Sequence, residues 1–301
     1  MKLSEIQVVS SYWGLNVVAS KVLSERAFLL RTDNGGRFIL KKKVSIETFQ
    51  FEVQLLSHIK NDKFPTHFPL ENNLGELTLK YNEMYFSIYP YLEGTPFNAE
   101  ECLNTPTIPR NLGETIATLH KSLATLETPD ALTNSDLYSV LFDWAIKEIL
   151  RIDHDKVLTN IFKELKVELK KRVNFLLTQI IHRDAHIYNI LYKDNKLSGI
   201  IDFEIAEVNV RIFDICYCST SILNRVFLNE ELKDKWILFV KEIVFEYHKI
   251  NPLNEVEVNS IWHIMLAIQV IFMASFKDYS SIYEINKKML IWLYENKEKI
   301  N

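Results

Sequence analysis

Apolar positions recur mostly with the period of a strand over the first ninety residues, and with the period of a helix afterwards. GLNVVASKVL (14–23), AFLLRT (27–32) and RFILKKK (37–43) are rich in β-branched and apolar residues and predict three strands. Asp33-Asn34-Gly35-Gly36 tolerates positive φ and predicts a hairpin between the second and third. Phe49, Val53, Leu56 and Ile59 stand at helical spacing, so a helix is expected over roughly 46–60. ELTLK (76–80) and MYFSIYPY (84–91) predict a second hairpin around Tyr81-Asn82-Glu83. After Gly94 the spacing predicts helices at 109–125, 134–152, 157–177, 230–250, 256–276 and 280–298. One island of strand interrupts them: QIIH (179–182), NILY (189–192) and SGIID (198–202), with a KDNK turn between the last two. The expected architecture is α+β. It has a small lobe of antiparallel sheet plus one helix over 1–90 and a larger, mostly helical lobe over 91–301.

With 301 residues, 48% apolar and 25% charged, the chain has ordinary globular composition, which excludes disordered, collagen-like and disulfide-scaffold classes. A net charge of −4 leaves no basic stripe for tracking a phosphate backbone, so no nucleic-acid partner is expected. Cys102, Cys216 and Cys218 are too few, and odd in number, for a disulfide framework. They read as reduced core thiols of a cytoplasmic protein. The N-terminal MKLSEIQVVSSYWGLNVV has no basic segment followed by an apolar run, so no leader is expected. The longest apolar stretch, 262–276, is interrupted by His263 and Gln269 and falls short of the ~20 residues that span a bilayer. It reads as a core helix, and no membrane partner is expected.

The β island carries the chemistry. His182-Arg183-Asp184 ends its first strand, Asn189 follows Asp184 by five residues, and Asp202 ends the last strand ahead of Phe203 and Glu204. Two acids and an amide delivered by strand ends suit Mg²⁺, which takes few protein ligands and shares the rest with substrate phosphates. Separately, Lys41 ends an apolar strand and Glu52 lies on the helix that follows. A buried lysine needs a carboxylate partner to stay charged, and a charged lysine can hold phosphates. Taken alone, each residue has a plainer reading, as a turn former or a solvated edge charge. The ordered set of Lys, Glu, HRD-x4-N and Asp-Phe is what carries weight.

HRDAHIYN resembles the catalytic-loop pattern of protein kinases and their small-molecule relatives, and IIDFE resembles the metal-binding segment that follows it. With IYPYLEG (88–94), LGETIATLH (112–120) and RIFDIC (211–216), the chain resembles the aminoglycoside phosphotransferase/choline kinase-like family from about residue 14 to 224. That resemblance implies a bilobal protein-kinase-like fold and an ATP-dependent phosphotransferase, with GTP as the other candidate donor, acting on a small-molecule hydroxyl. Asp184 would accept the proton of that hydroxyl, and Asn189 and Asp202 would ligate Mg²⁺. Lys41 would bind the phosphates, held by Glu52, Ile39 would roof the adenine, and backbone groups near Tyr91 and Leu92 would meet its edge. Asp214 and His182 would support the loop backbone.

Several positions depart from the family pattern. Ser24-Glu25-Arg26 stands where a glycine-rich loop is expected, Ile187-Tyr188 replaces a common Pro-Gly, and Glu204 in place of glycine offers a second carboxylate near the ion. Only eleven residues separate Asp202 from Asp214 and no APE anchor occurs, which disfavours a protein substrate. His186 reads as loop support, and Asp153-His154-Asp155 as a helix-capping turn. Trp262, His263, Asp278, Tyr279, Tyr283 and Glu284 are candidates for lining an amine-binding acceptor pocket, although ordinary core and surface roles account for them equally well. The alternative to an aminoglycoside-, choline- or homoserine-like kinase is a nucleotide-binding pseudoenzyme of the spore-coat type, without turnover.

Overall fold

The computed structural model describes residues 1–62, 64–127 and 136–300. In chain order, α1 (Leu3–Ser11) leads into β1 (Val17–Val22), β2 (Ala27–Thr32), β3 (Arg37–Lys43), α2 (Ile46–Asn61), β4 (Leu79–Tyr81) and β5 (Met84–Pro90). Then come α3 (Ala99–Asn104), α4 (Thr107–Leu123), α5 (Leu137–Ser139), a π-helical turn (Val140–Ala145), α6 (Ile146–Leu150) and α7 (Lys156–Arg172). The island is β6 (Thr178–Ile181), β7 (Ile190–Lys193), β8 (Lys196–Ile200) and β9 (Glu207–Val210). The chain closes with α8 (Ile212–Val226), α9 (Glu230–Ile250), α10 (Glu255–Val258), α11 (Ile261–Ser275), α12 (Ser280–Glu295) and α13 (Lys297–Ile300).

Two compact units result, one made of residues 1–95 with 191–204 and the other of 96–190 with 205–301. The first holds an antiparallel sheet in the order β1-β2-β3-β5-β4, and the second is mostly helical, the α+β division that the periodicities predict. The β7–β8 hairpin belongs almost wholly to the first unit, joined to it by backbone bridges from Thr66 to Ile200 and from Thr95 to Tyr192. Its turn, and that of the β4–β5 hairpin, place two consecutive residues at positive φ: Asp194-Asn195 and Asn82-Glu83. That is the twist-matched geometry of tight hairpins.

Alternation along the strands sorts the first unit's residues. Phe28, Leu30, Leu40, Phe86 and Ile88 form one buried face, covered by Ile6, Val9 and Trp13 of α1 and the turn after it. The helix α1 is not legible from strand-like periodicity. Its start is fixed locally, where the Glu5 carboxylate accepts the Lys2 backbone N–H at 2.7 Å. The expected strand 14–23 is correspondingly trimmed to β1.

In the second unit, α9 matches its expected span residue for residue. The expected helix 134–152 breaks into α5, the π turn and α6, and its first two positions lie outside the described residues. The expected 256–276 helix divides at Asn259-Ser260, where the short capped turn α10 ends and α11 begins. The α8 helix, largely buried, is an addition to the expected set. Asp155 caps α7 by accepting Val157 N–H at 2.8 Å, and Asp153 and Asp155 both pair with Lys287, so this cluster is structural, as expected. All three cysteines are free and buried, and among the described residues no helix is long and apolar enough to cross a membrane.

Two packing features fix the helical unit. A Cβ added to Gly113 of α4 would lie 2.6 Å from the Ile243 carbonyl oxygen of α9, a backbone atom that cannot step aside. Gly113→Ala is therefore expected to destabilise the protein by about 1–3 kcal/mol, despite alanine's better helix propensity. Urea unfolding would show it as a lower midpoint, and an unchanged or raised midpoint would mean that the two helices part freely. The second feature is Arg211, buried between helices. Its Nε and Nη2 donate to the two oxygens of Glu257 at 2.6 and 2.7 Å, while Nη1 and Nη2 donate to Asn251 Oδ1 and the Pro252 carbonyl.

Candidate active site

On the first unit, the face of β3 opposite Leu40 carries Ile39, Lys41 and Lys43. Lys41 Nζ donates to Asp202 Oδ1 at 2.8 Å. Glu52 on α2 takes a different lysine from the one expected. Lys43 Nζ donates to its Oε2 at 2.7 Å, and the Tyr89 hydroxyl donates to its Oε1 at 2.9 Å. The expected Lys41–Glu52 pair is thus corrected. A strand's two-residue period puts both lysines on one face, and only tertiary geometry decides which meets the helix. Burial pulls the Lys43 ammonium below its ordinary pKa, with Glu52 opposing and the Lys41 charge assisting that shift. The same burial, next to Glu52, keeps the Tyr89 phenol protonated far above its usual range.

Ile39 is half-buried and pairs across the sheet with Tyr89. The Tyr91 N–H donates to the Arg37 carbonyl at 3.1 Å, and the Arg37 guanidinium lies over the Tyr91 ring. That backbone donor is engaged within the protein, which directs the adenine-edge expectation to Leu92. Glu204 accepts from Arg26 Nη1 at 2.9 Å, so the extra carboxylate is tied to the turn that stands in place of a glycine-rich loop. His67 was not anticipated at all. It packs against Tyr89 with the rings tilted and 4.6 Å between centroids, and is held neutral, its pKa lowered to about 3 by burial and then by Lys41 and Lys43. No motif in the sequence marks it.

On the second unit, the loop from His182 to Asn189 leaves β6 and is anchored by Asp214 at the start of α8. That buried carboxylate accepts the backbone N–H groups of His182 (2.8 Å) and Arg183 (2.9 Å) and the Nε2 of His120 (3.0 Å). Nε2 donates to the carboxylate, and Nδ1 lies 2.8 Å from the Tyr247 hydroxyl. Burial opposes the Asp214 charge, but the His120 and loop hydrogen bonds outweigh it and hold the pKa below the usual carboxylate value. Arg183 and Asp202 are both held at φ 72°, in the left-handed region where L-residues are strained. A surrounding network has to over-determine such positions, and Asp214 and Lys41 are parts of it.

Asp184 sits within this loop with both oxygens occupied: Oδ1 accepts from the Tyr217 hydroxyl at 3.0 Å and Oδ2 from Asn189 Nδ2, also at 3.0 Å. His186 Nε2 stands 3.6 Å from the same Oδ2, and its Nδ1 accepts the Tyr188 N–H. Asn189 Nδ2 also donates to the Asp184 carbonyl, which turns its own Oδ1 away as the atom left to accept or to ligate. The Asn189 amide oxygen of this unit and, taken separately, the partly exposed Asp202 carboxylate of the first unit are each hard oxygen donors of the kind Mg²⁺ takes. Among the described residues no three His, Cys, Asp or Glu side chains gather into a ready-made metal cage.

Beside Asp184 the second unit holds a cavity of about 480 Å³. Tyr217 and His186, whose polar atoms lie 3.0 and 3.6 Å from the Asp184 carboxylate, line it together with Arg225, Gln269, Phe272 and Phe276, and Asp184 itself lines an adjoining cavity of about 400 Å³ that shares Tyr217 and Phe272. None of the residues expected to line an acceptor pocket lines this cavity. Trp262, His263 and Tyr283 are buried in the core, and Tyr279 is exposed. The same helices contribute, but through other faces, which periodicity alone cannot rank on an all-apolar helix such as α11.

Comparison with known proteins gives a consistent result. A model described as the phosphotransferase enzyme family matches residues 17–252. The chain is 26% identical to the homoserine kinase of Parvibaculum lavamentivorans over 218 residues, covering 71% of this chain and 65% of that protein. To the homoserine kinase of Rhodospirillum rubrum it is 27% identical over 239 residues, covering 76% and 70%. In fold it is similar to the solved structure of a microcompartment-associated aminopropanol kinase, with a TM-score of 0.76 at 13% identity over 100% of this chain and 99% of that one.

Proposed function

Because the chain belongs to the phosphotransferase enzyme family, within the protein-kinase-like superfamily of small-molecule kinases, we propose that it transfers the γ-phosphate of ATP to a hydroxyl of a small molecule. The observation that carries this reading is the Asp184–Asn189 pair: a carboxylate oriented by Tyr217 and Asn189 that lines a cavity of about 400 Å³ with Tyr217 and Phe272. A base for an alcohol proton must be fixed and accessible, and a structural aspartate has no need of the cavity. The acceptor oxygen loses its proton to Asp184 and forms the new P–O bond as the bond from the γ-phosphorus to the β,γ-bridging oxygen breaks, releasing ADP. Lys41 neutralises phosphate charge, and its Asp202 partner keeps it extended along the strand face. Asn189 and Asp202 would hold Mg²⁺, which supplies charge neutralisation on the phosphates. Lys43, Glu52 and Tyr89 form a buried support that fixes the α2–β3 packing beside Lys41.

The nucleotide half is tested by calorimetric titration of ATP, with and without Mg²⁺, into wild type and Asp202→Asn. Asparagine tolerates the positive φ, so the change isolates the charge. Binding is expected to depend on Mg²⁺ and to weaken about 10- to 100-fold in the variant, the worth of a charged contact. Absence of binding to both ATP and GTP in the wild type would overturn the reading in favour of a scaffold without turnover. The homoserine kinases among its relatives make homoserine the first acceptor to try.

A further inference from the structure

The cavity beside Asp184 has a distinct chemical character. Its lining includes a single formal cation, Arg225, and no carboxylate. Arg225 lies exposed on α8, its guanidinium 5.2 Å from the centre of the Tyr188 ring, which also lines the cavity. Among the described residues it forms no ion pair, so its charge is unneutralised at the cavity wall. Gln269 is the second unusual feature. It sits at the middle of α11, the most apolar helix of the protein, is 2% exposed, and its Oε1 is buried without a hydrogen-bond partner. Leaving a buried amide oxygen unpaired costs about 1–3 kcal/mol, so such groups need a reason. Here the side chain lines the cavity, where a ligand can supply the missing donor. The remaining wall is partly apolar, with Phe272 stacked on Tyr217 and Phe276 stacked on Phe272.

We propose that this cavity receives a small hydroxyl-bearing carboxylate, with Arg225 pairing with the carboxylate and Gln269 accepting a hydrogen bond from a polar group beside it. The hydroxyl then lies toward Asp184, on the wall formed by Tyr217 and His186. This rests on the kinase reading above and narrows its acceptor. A polycationic amine would meet an uncompensated guanidinium and no lining acid, which disfavours it by charge alone. One guanidinium matches a monoanion, with the planar fork suited to a carboxylate.

The test measures ADP release from Mg·ATP with three sets of acceptors. These are hydroxyl-bearing carboxylates (homoserine, serine, 4-hydroxybutyrate and glycerate), the cationic alcohol choline, and the polycation kanamycin. Each compound is also titrated calorimetrically into the protein alone. At least one carboxylate is expected to be used in preference to both cations, and Arg225→Gln to raise its KM about 10- to 100-fold while kcat changes little. Gln269→Leu, which keeps the volume and removes the amide, is expected to raise KM for an acceptor carrying an amino group. Preferential use of choline or kanamycin, or an unchanged KM in Arg225→Gln, overturns the inference and leaves the kinase reading standing. Carboxylate binding that Arg225→Gln weakens, without ADP release from any compound, upholds the cavity's selectivity and overturns the kinase reading. No carboxylate binding and no carboxylate turnover overturns the inference outright.

Discussion

Asp184→Asn is expected to lower kcat by about 10²- to 10⁴-fold while leaving Mg·ATP affinity unchanged. In the proposed mechanism the carboxylate takes the hydroxyl proton, and asparagine occupies the same volume without being able to accept it. The change also tests the Tyr217 contact. A phenol 3.0 Å from Asp184 Oδ1 orients the carboxylate, and burial holds that phenol protonated above its ordinary range, so Tyr217 acts as a donor throughout the neutral pH range. Turnover measured by coupled ADP release, with nucleotide affinity measured by titration, separates the two effects. Near-normal turnover with an accepted substrate would remove Asp184 from the chemistry. A parallel loss of nucleotide affinity would mean that the substitution disturbs the loop rather than the proton transfer.

Glu257→Ala is expected to be the most destabilising single change, at about 3–5 kcal/mol. Glu257 is fully buried, and its two oxygens hold the Arg211 guanidinium, itself 6% exposed. The same carboxylate accepts the Asn254 N–H that starts α10, so truncation also frays that turn. What makes the loss large is the orphaned charge left on Arg211, more than the net worth of the pair. Replacing both partners with apolar residues, Arg211→Met with Glu257→Leu, is therefore expected to recover much of the stability. Chemical denaturation of the single and double variants checks this. A double variant no more stable than Glu257→Ala would show that the pair's hydrogen bonds to Asn251 and Pro252, rather than the unpaired charge, dominate.

Much of the fold was legible because its elements declare themselves locally. The boundaries of β2, β3 and α9 coincide with their hydrophobic periods. The family resemblance was legible for a different reason, since HRD-x4-N and IIDFE are short and fixed in spacing. What could not be read was pairing at a distance. Lys41 and Lys43 are equivalent to any argument from a two-residue period, and only the folded position of α2 gives Glu52 to Lys43. The cavity residues were missed on similar grounds. In α11 nearly every side chain is buried, so no stripe indicates which face meets a ligand, and the isolated Gln269 was the one usable signal. Asp214 shows the opposite case, where a motif position carried its supporting role legibly and the structure supplied His120 and Tyr247 as the outer partners.

The division of labour along the chain has a consequence for how such a protein diversifies. Lys41 and Asp202 belong to one unit, whereas Asp184 and every residue lining the cavity belong to the other. Within the second unit, α8, α11 and α12 supply most of the cavity wall, His186 and Tyr188 of the loop complete it, and Asp214 at the start of α8 holds the loop backbone with His120 behind it. Substitutions at wall positions of those helices can therefore change the cavity without replacing Lys41 or Asp184. If the cavity receives the acceptor as proposed, a handful of wall positions sets the choice of acceptor, and Arg225 and Gln269 are the ones whose replacement would change it first.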